Sequence, residues 1–552
     1  MTSPRRIIIV GGVAAGMSAA TRLRRRDETA HITVIERSDA VSLATCGLPY
    51  VIGEVIPSRD ELLLQSPARL RDRFQLDVRV RTTAVEIDRA TRSLVVASDE
   101  GIDRLEYDDL VLATGATPVT LEVPGASRAY PLHTLDDLDR ILAAVGEARS
   151  VVVVGGGFVG VEVAENLRAR GLAVALVHRG THLIGSLDAE MAVPLADAAR
   201  DAGVLLRLGQ RPVAIDEATV TLHTGEVLDA DLVISAVGVR PASELARAAG
   251  LALGPAGGVL VDAQFRTSDP AIRAIGDVAE KLDAVFGGTR SVPLAGPANH
   301  HGRLVADAIA GDPITVTPTL GTAIVGAFGR VAAVVGASER VLREAGVEHR
   351  VIHTHPLHHV GYYPGAQPMA IKLLVSPDDV ILGAQAVGGE GVDRRIDVIA
   401  TAMRAGMRAS ELAELELAYA PPFGSAKDPV NMLGYIAQNL RDGERAIQWH
   451  ELDDARAAGA RLVDVRAAGQ LDEGSIPGAE WIPVEELRAR VHEFRGERVI
   501  VHCRVGQGAH TAGRLLAAHG VDVVNLDGGY LTWRDAHRAL ALTDSSLTEG
   551  AA

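Results

Sequence analysis

Only two residues of this sequence carry a thiol, Cys46 and Cys503. They can form one disulfide at most, so no disulfide framework holds the chain, and a reducing compartment fits. A lone cysteine is ordinarily a small buried hydrophobe. These two sit instead in distinctive runs: Leu43-Ala44-Thr45-Cys46-Gly47-Leu48-Pro49-Tyr50 and Cys503-Arg504-Val505-Gly506. Cys503 follows a β-branched stretch at 499–502 and opens a glycine-containing loop before a helical pattern. Successive backbone N–H groups in such a loop can cradle a thiolate or a persulfide.

The second chemistry is phosphate binding. Ile7-Ile8-Ile9-Val10 leads into Gly11-Gly12-Val13-Ala14-Ala15-Gly16, an amphipathic segment to Arg26, and then residues 32–36 ending on Glu36. Strand, glycine turn, helix and strand make the βαβ unit of a dinucleotide fold. The turn is imperfect, because Val13 stands at its middle glycine position. Glu36, followed by Arg37, would accept the ribose hydroxyls of an adenosine. Ala113-Thr114-Gly115 after an apolar strand, and Gly276-Asp277 after another, add a second signal, since a carboxylate at a strand end can bind ribityl hydroxyls. Val151–Val154 then repeats the pattern with an intact turn at Gly155, Gly157 and Gly160. A pyrophosphate would sit at the start of the following helix. At the ribose position stand His178 and Arg179 rather than a carboxylate, which tilts the nucleotide toward NADPH, because Arg179 can pair with a 2′-phosphate.

These sites need several supporting bodies. At roughly 150 residues per domain, 552 residues imply three or four. Hydrophobic residues at 47% and charged residues at 23% are globular values. A net charge of −16 gives no electrostatic footprint for nucleic acid or an anionic membrane. The longest uncharged apolar run, 7–21, holds three glycines and falls short of the roughly 18–20 residues of a membrane span. It reads as a strand and turn, not a targeting segment, so a cytoplasmic protein is expected. Residues 252–312 read as strand-poor. Helical stretches at 393–405 and 410–417 among alternating strands suggest an α+β domain. The polar 441–446 is a linker. Beyond it comes a small α/β unit with strands at 461–465, 499–502 and 523–526 and helices at 485–493 and 511–519.

On these motifs, residues 1–440 resemble the FAD-dependent pyridine nucleotide–disulfide oxidoreductases, and within them the coenzyme A-disulfide reductases. The Cys46 run, Tyr362-Tyr363-Pro364-Gly365, and Tyr419-Ala420-Pro421-Pro422 with Lys427-Asp428-Pro429 carry the likeness. Residues 447–540 resemble a rhodanese domain through Asp464-Val465-Arg466, Gly474-Ser475-Ile476-Pro477-Gly478-Ala479, the Cys503 run, and Gly528-Gly529 with Trp533. The resemblance implies an α/β protein with two Rossmann-like dinucleotide-binding domains, an α+β dimerisation domain and a C-terminal rhodanese domain. The expected boundaries are 1–118 with 246–325 for FAD, 119–245 for NAD(P), 326–440 for dimerisation and 447–545 for rhodanese.

It also implies roles. A glutathione-type reductase needs C-x4-C, but Val51 occupies the second position here, so Cys46 must cycle with an external thiol or as a sulfenic acid. Within the resemblance that thiol is coenzyme A, bound as a mixed disulfide. Cys46 is then a low-pKa thiolate facing the flavin. Phe158, beside Val159, is the gate for the nicotinamide, and Glu162 lies near it. Tyr362 and Tyr419 come from the second subunit of a homodimer and act as acids at the leaving thiolate. Arg22, Arg25 and Lys427 counter the coenzyme A phosphates, with Ser18, Ser42 and Asn299 at substrate-contacting positions.

The histidines 353, 355, 358 and 359 invite a zinc reading, but no cysteine or carboxylate joins them in sequence. No metal is expected, and a contact of one of them with a substrate phosphate is preferred. The rhodanese stretch departs from its family at Gly508, often Arg, and at Ser475, often His. Losing that cation weakens anionic donors such as thiosulfate, although Arg504 remains. The expected activity is NAD(P)H-dependent, FAD-mediated reduction of a coenzyme A disulfide, coenzyme A persulfide or polysulfide, with Cys503 carrying sulfane sulfur. An NAD(P)H oxidase or peroxidase using a Cys46 sulfenic acid, and a sulfur-carrier or redox-sensing protein, stay open as alternatives.

Overall fold

The computed structural model describes residues 4–548 and divides the chain into two compact units. The first comprises 1–176, 212–222 and 227–321; the second comprises 177–211, 223–226 and 322–552.

The first unit is built on a five-stranded parallel sheet in the order Ile272–Ala274, Asp109–Leu112, Arg6–Val10, His31–Ile35, Asp77–Arg79. Ile7, Ile9 and Val34 are buried, as a parallel sheet covered on both faces requires. The helix Ala14–Arg26 covers one face. Beside it lies Ala295–Ile309, a helix that the strand-poor reading of 252–312 did not anticipate. Its first half, with Gly296, Pro297 and Gly302, is a weak helix former. Packing overrides that preference: a Cβ on Gly302 would stand 2.3 Å from the carbonyl oxygen of Ala15, so only glycine lets the two helices meet. The Ser18 hydroxyl donates to the carbonyl of Asn299 across the same contact, at 2.9 Å. The strand Ser150–Val154 pairs in parallel with Leu232–Ser235, which pairs with Ala129–Pro131. The helix Phe158–Ala169 follows the second glycine turn.

The second unit holds an antiparallel sheet in the order Ala323–Ala327, Arg330–Gly336, Ile381–Gly388, Met369–Val375, Arg350–Thr354. The helix Val392–Ala405 packs on it. The stretch 410–417, expected to be helical, is instead a 3₁₀ turn at Ala409–Glu414. Asn431 Nδ2 donates to the carbonyls of Leu412 and Leu415 at 3.0 and 2.9 Å, anchoring the turn to the helix Pro429–Arg441. That helix approaches so closely that a Cβ on Gly434 would meet the backbone nitrogen of Ala413 at 2.1 Å.

A parallel five-stranded sheet follows, ordered Ala446–Ile447, Asp522–Leu526, Arg498–His502, Arg461–Asp464, Glu480–Trp481. The helix expected at 511–519 begins earlier, at Gln507, because Gly506 takes φ +97° as its N-cap. The helix expected at 485–493 is Val484–Arg490 with a 3₁₀ extension, Val491–Phe494. No helix among the described residues is long and apolar enough to cross a membrane.

Candidate functional site

In the first unit a cleft of about 430 Å³ opens at the C-terminal ends of the parallel strands. Gly11 to Ala15, Glu36, Arg37, Ala113 to Gly115 and Gly276-Asp277 line it, and so does Cys46. The glycines are there for steric reasons. A Cβ on Gly11 would stand 2.1 Å from the Ala113 carbonyl oxygen, and one on Gly16 would stand 1.9 Å from that of Gly11. Val13 is tolerated at the middle position, where it precedes the helix with no side-chain cap. Glu36 accepts the N–H of Gly12 at 2.8 Å and both the N–H and the hydroxyl of Ser38, which pins its carboxylate at the strand end.

Asp277 is the group that most asks for a ligand. Its Oδ1 is buried without a hydrogen-bond partner among the described residues. Burial raises its pKa, and the charge of Lys281 pulls it part of the way back. Lys281, itself lowered by burial, donates to the carbonyl of Gly276 at 2.8 Å. A polyhydroxylated chain would satisfy the orphan oxygen. The residues present therefore fit a flavin dinucleotide. His133, also on the cleft wall, is lowered by burial and by the nearby Arg37. Sequence reasoning missed both Lys281 and His133. Only the i+4 spacing of Lys281 from Asp277 could have marked it.

Cys46 is exposed on the short turn Thr45–Gly47, ahead of the helix Leu48–Ile52. Val51, at the place where a second thiol would fall, is buried at 5% exposure. Four residues after Cys46, Tyr50 donates its hydroxyl to Glu162 Oε1 at 3.0 Å. Burial and the Glu162 charge push the Tyr50 phenol up to about 12, while burial raises Glu162 against the pull of that hydrogen bond. Glu162 was expected near the nicotinamide; its tie to the Cys46 run was not. Ser42, at φ +54°, donates its N–H to the Gly12 carbonyl at 2.8 Å.

The second glycine turn repeats the steric logic. A Cβ on Gly155 would collide with the Ala236 carbonyl and one on Gly160 with that of Gly155, whereas one on Gly157 would meet open space. Phe158 and Val159 begin the helix, and Val159 is exposed. Of the cationic candidates in this unit, Arg25 is exposed with no ion pair among the described residues, while Arg22 is held by Asp307 at 2.8 Å.

In the second unit, His178 closes the strand Ala173–His178, and Arg179 is exposed beyond it. The hydroxyls of Tyr362 and Tyr419 lie 3.2 Å apart, and Lys427 is exposed. Cys503 is buried, with the Gly506 N–H donating to its Sγ at 3.2 Å.

The histidine cluster turns inward. His353 is buried between Asp527, 2.7 Å from its Nδ1, and Glu190, 3.4 Å from its Nε2. His355 meets the Thr532 hydroxyl at 2.8 Å, and His358 and His359 bond to local backbone. The carboxylates absent from the neighbouring sequence thus arrive from afar, and these rings are engaged inside the fold rather than set out for a phosphate. Asp188, Glu190 and Glu339 gather as a metal site might, but the cation they surround is Lys372.

Burial alone would lower His353, yet its hydrogen bonds to Asp527 and Glu190 raise it to about 9. A raised folded-state pKa stabilises fully below the unfolded value near 6.5 and is lost as pH rises through about 9. The contribution is about 3 kcal/mol at most. We expect thermal stability to fall between pH 7 and 9.5, and His353→Gln to remove most of that slope. A wild-type melting profile that is flat across this range would contradict the assignment.

Residues 5–302 match the pyridine nucleotide-disulphide oxidoreductase family, 325–429 match its dimerisation domain, and 448–536 match the rhodanese-like domain. The chain belongs to the pyridine nucleotide-disulphide oxidoreductases, a family of FAD- and NAD(P)H-dependent enzymes, and carries a rhodanese-like domain at its C-terminal side. Coenzyme A disulfide reductase of Staphylococcus aureus is 34% identical over 439 residues, 78% of this chain and 100% of its own length. The crystal structure of reduced Bacillus anthracis CoADR-RHD superposes with a TM-score of 0.95 at 40% identity, covering 97% of this chain and 98% of its own. The NAD-dependent persulfide reductase from A. fulgidus does so with a TM-score of 0.89 at 35% identity, covering 96% and 100%.

Proposed function

We propose that this protein is a homodimeric reductase of coenzyme A disulfide, coenzyme A persulfide or polysulfide, working through Cys46 as its single redox-active thiol. The observation that carries the reading is an exposed Cys46 on the wall of a flavin-shaped cleft, with buried Val51 where a resolving thiol would stand. FAD, when bound, supplies two-electron transfer between NAD(P)H and sulfur.

The chain's own residues do the rest. The turn Gly11–Gly16 admits a pyrophosphate, Glu36 holds a ribose, and Asp277 takes a ribityl hydroxyl. Cys46 Sγ attacks one sulfur of the disulfide and expels the other as a thiolate. Two electrons then return Cys46 and release the second thiol. The paired phenols of Tyr362 and Tyr419 serve as proton donors to the leaving thiolate of the partner subunit's site. Tyr362 is 75% exposed and Phe423 68% exposed, an aromatic face that a second copy would cover. Arg25 and Lys427, which have no ion pair among the described residues, suit the coenzyme A phosphates better than Arg22, which Asp307 neutralises. Cys503 carries sulfane sulfur.

Turnover by the purified protein decides between readings. NAD(P)H oxidation with coenzyme A disulfide or persulfide in preference to hydrogen peroxide is expected. Preferential turnover of peroxide would instead establish a sulfenic acid enzyme. For the nucleotide, Arg179→Glu should shift the NADPH/NADH ratio of kcat/KM toward NADH by about tenfold or more, because a carboxylate accepts a 2′-hydroxyl and repels a 2′-phosphate. An unchanged ratio would remove Arg179 from the ribose site.

A further inference from the structure

Among the described residues, the basic side chains around the Cys503 loop are paired with carboxylates or neutral. Arg504, the next residue, donates its Nε to both carboxylate oxygens of Glu473, at 2.9 and 2.8 Å. His510, on the helix that follows, faces Glu444 at 2.7 Å. His502, on the other side, is buried; burial lowers it to about 4, so it is neutral at pH 7. Arg466, deeper still, is locked onto Asp464. At Gly508 there is no side chain at all, and a Cβ there would lie 3.5 Å from the sulfur. Ser475 is exposed and uncharged. Among the described residues, the donor that reaches Sγ is the Gly506 N–H, the N-cap of the helix Gln507–Ala518.

A dianion brought to a buried sulfur needs a countercharge, since desolvation otherwise outweighs the few hydrogen bonds on offer. Thiosulfate is such a dianion, and its charge sits on the atoms that must enter the pocket. An organic persulfide can enter as the neutral S–SH, with any charged groups outside. We propose that Glu473 is a specificity-determining residue: by holding Arg504 as an ion pair it withholds that cation from Cys503 and selects organic persulfides over thiosulfate as sulfur donors. The inference rests on the reading of Cys503 as a sulfur carrier. In the selected step the Cys503 thiolate attacks the terminal sulfur of R–S–SH, a new S–S bond forms, the old one breaks, and R–S⁻ leaves with the electron pair. With thiosulfate the same attack would expel sulfite. Glu473 acts through Arg504, so it is a positioning residue rather than a catalytic one.

The test uses the full chain, with glutathione persulfide or thiosulfate as donor and cyanide as acceptor, read as thiocyanate. Wild type is expected to use the persulfide at a kcat/KM at least about 100-fold above that for thiosulfate, a gap of about 2.7 kcal/mol. Glu473→Gln frees Arg504 and should raise the thiosulfate-to-persulfide ratio of kcat/KM about tenfold or more, and added salt should erode the gain. Adding Arg504→Gln should return the ratio to the wild-type value. A ratio that Glu473→Gln leaves unmoved, or a gain that survives loss of Arg504, overturns the proposal; so does a wild type that uses both donors equally. A wild type that turns over neither donor defeats the carrier reading itself. Coenzyme A disulfide reduction retained by Glu473→Gln shows that the chain is folded, and Glu473→Ala, which frees Arg504 equally, should show the same rise in the ratio; a folded Glu473→Ala with the wild-type ratio also overturns the proposal.

Discussion

Cys46→Ser is expected to lower reduction of coenzyme A disulfide by at least about 10³-fold, as loss of a nucleophile does in other covalent mechanisms, while the purified protein keeps its flavin. The two halves of this result have separate causes. The hydroxyl is a far weaker nucleophile than a thiolate, and Cys503 is the sole other thiol in the chain. The groups offered to a flavin are the Gly11–Gly16 turn, Glu36, Thr114 and Asp277, and none of them depends on Sγ for its position. Flavin content read from absorbance, set beside NAD(P)H-dependent turnover, checks both halves. Loss of flavin together with activity would make Cys46 a structural residue. Retained turnover would move the redox chemistry elsewhere.

The second large effect concerns stability. Lys372 has no exposed side-chain surface and lies among Asp188 at 2.9 Å, Glu339 at 2.6 Å and Glu190. Burial would raise the Glu190 pKa and lower that of Lys372, but their mutual attraction overrides both, so this pair is charged. Asp188 is further held by Gln385 Nε2 at 2.6 Å and by the N–H groups of Glu339 and Arg340. Removing the ammonium leaves three buried carboxylates facing one another, with Arg343 still paired to Glu339 and His353 3.4 Å from Glu190. Lys372→Met keeps the bulk and deletes the charge. It should cost about 3–5 kcal/mol, the usual penalty for breaking a buried ion pair from one side. For a unit of this size that is a fall in melting temperature of roughly 5–9 °C. Calorimetry of wild type and variant measures it directly. A variant within about 1 kcal/mol of wild type would show that the carboxylates take up protons at little expense.

The cluster also extends toward the rhodanese-like domain. Glu190 reaches His353, His353 reaches Asp527, and Asp527 begins the turn whose Gly529 packs against the Cys503 carbonyl. The Gln448 amide donates to Val351 and to Asp527 in the same place. The polar 441–446 stretch expected as a linker is therefore supplemented by the buried His353–Asp527 ion pair and the Gln448 amide that joins it.

By itself the sequence determined the features whose causes are local. Both βαβ turns could be read because a β-branched run, a glycine that backbone carbonyls leave no room to replace, and a helical period all fall within thirty residues. Cys46 and Cys503 stood out for the same reason, each being flanked by its own turn chemistry. The tertiary structure decided what depends on distant chain segments. Gly302 makes a helix where propensity argues against one, because Ala15 lies across from it. Arg22 lost its free charge to Asp307, and Arg504 lost its own to Glu473. His353 found Asp527, 174 positions away, and Lys372 found Glu190, 182 positions away. Side-chain pairing across a fold follows from which strands and helices become neighbours. Nothing in the local pattern of a histidine or an arginine encodes the carboxylate that will neutralise it.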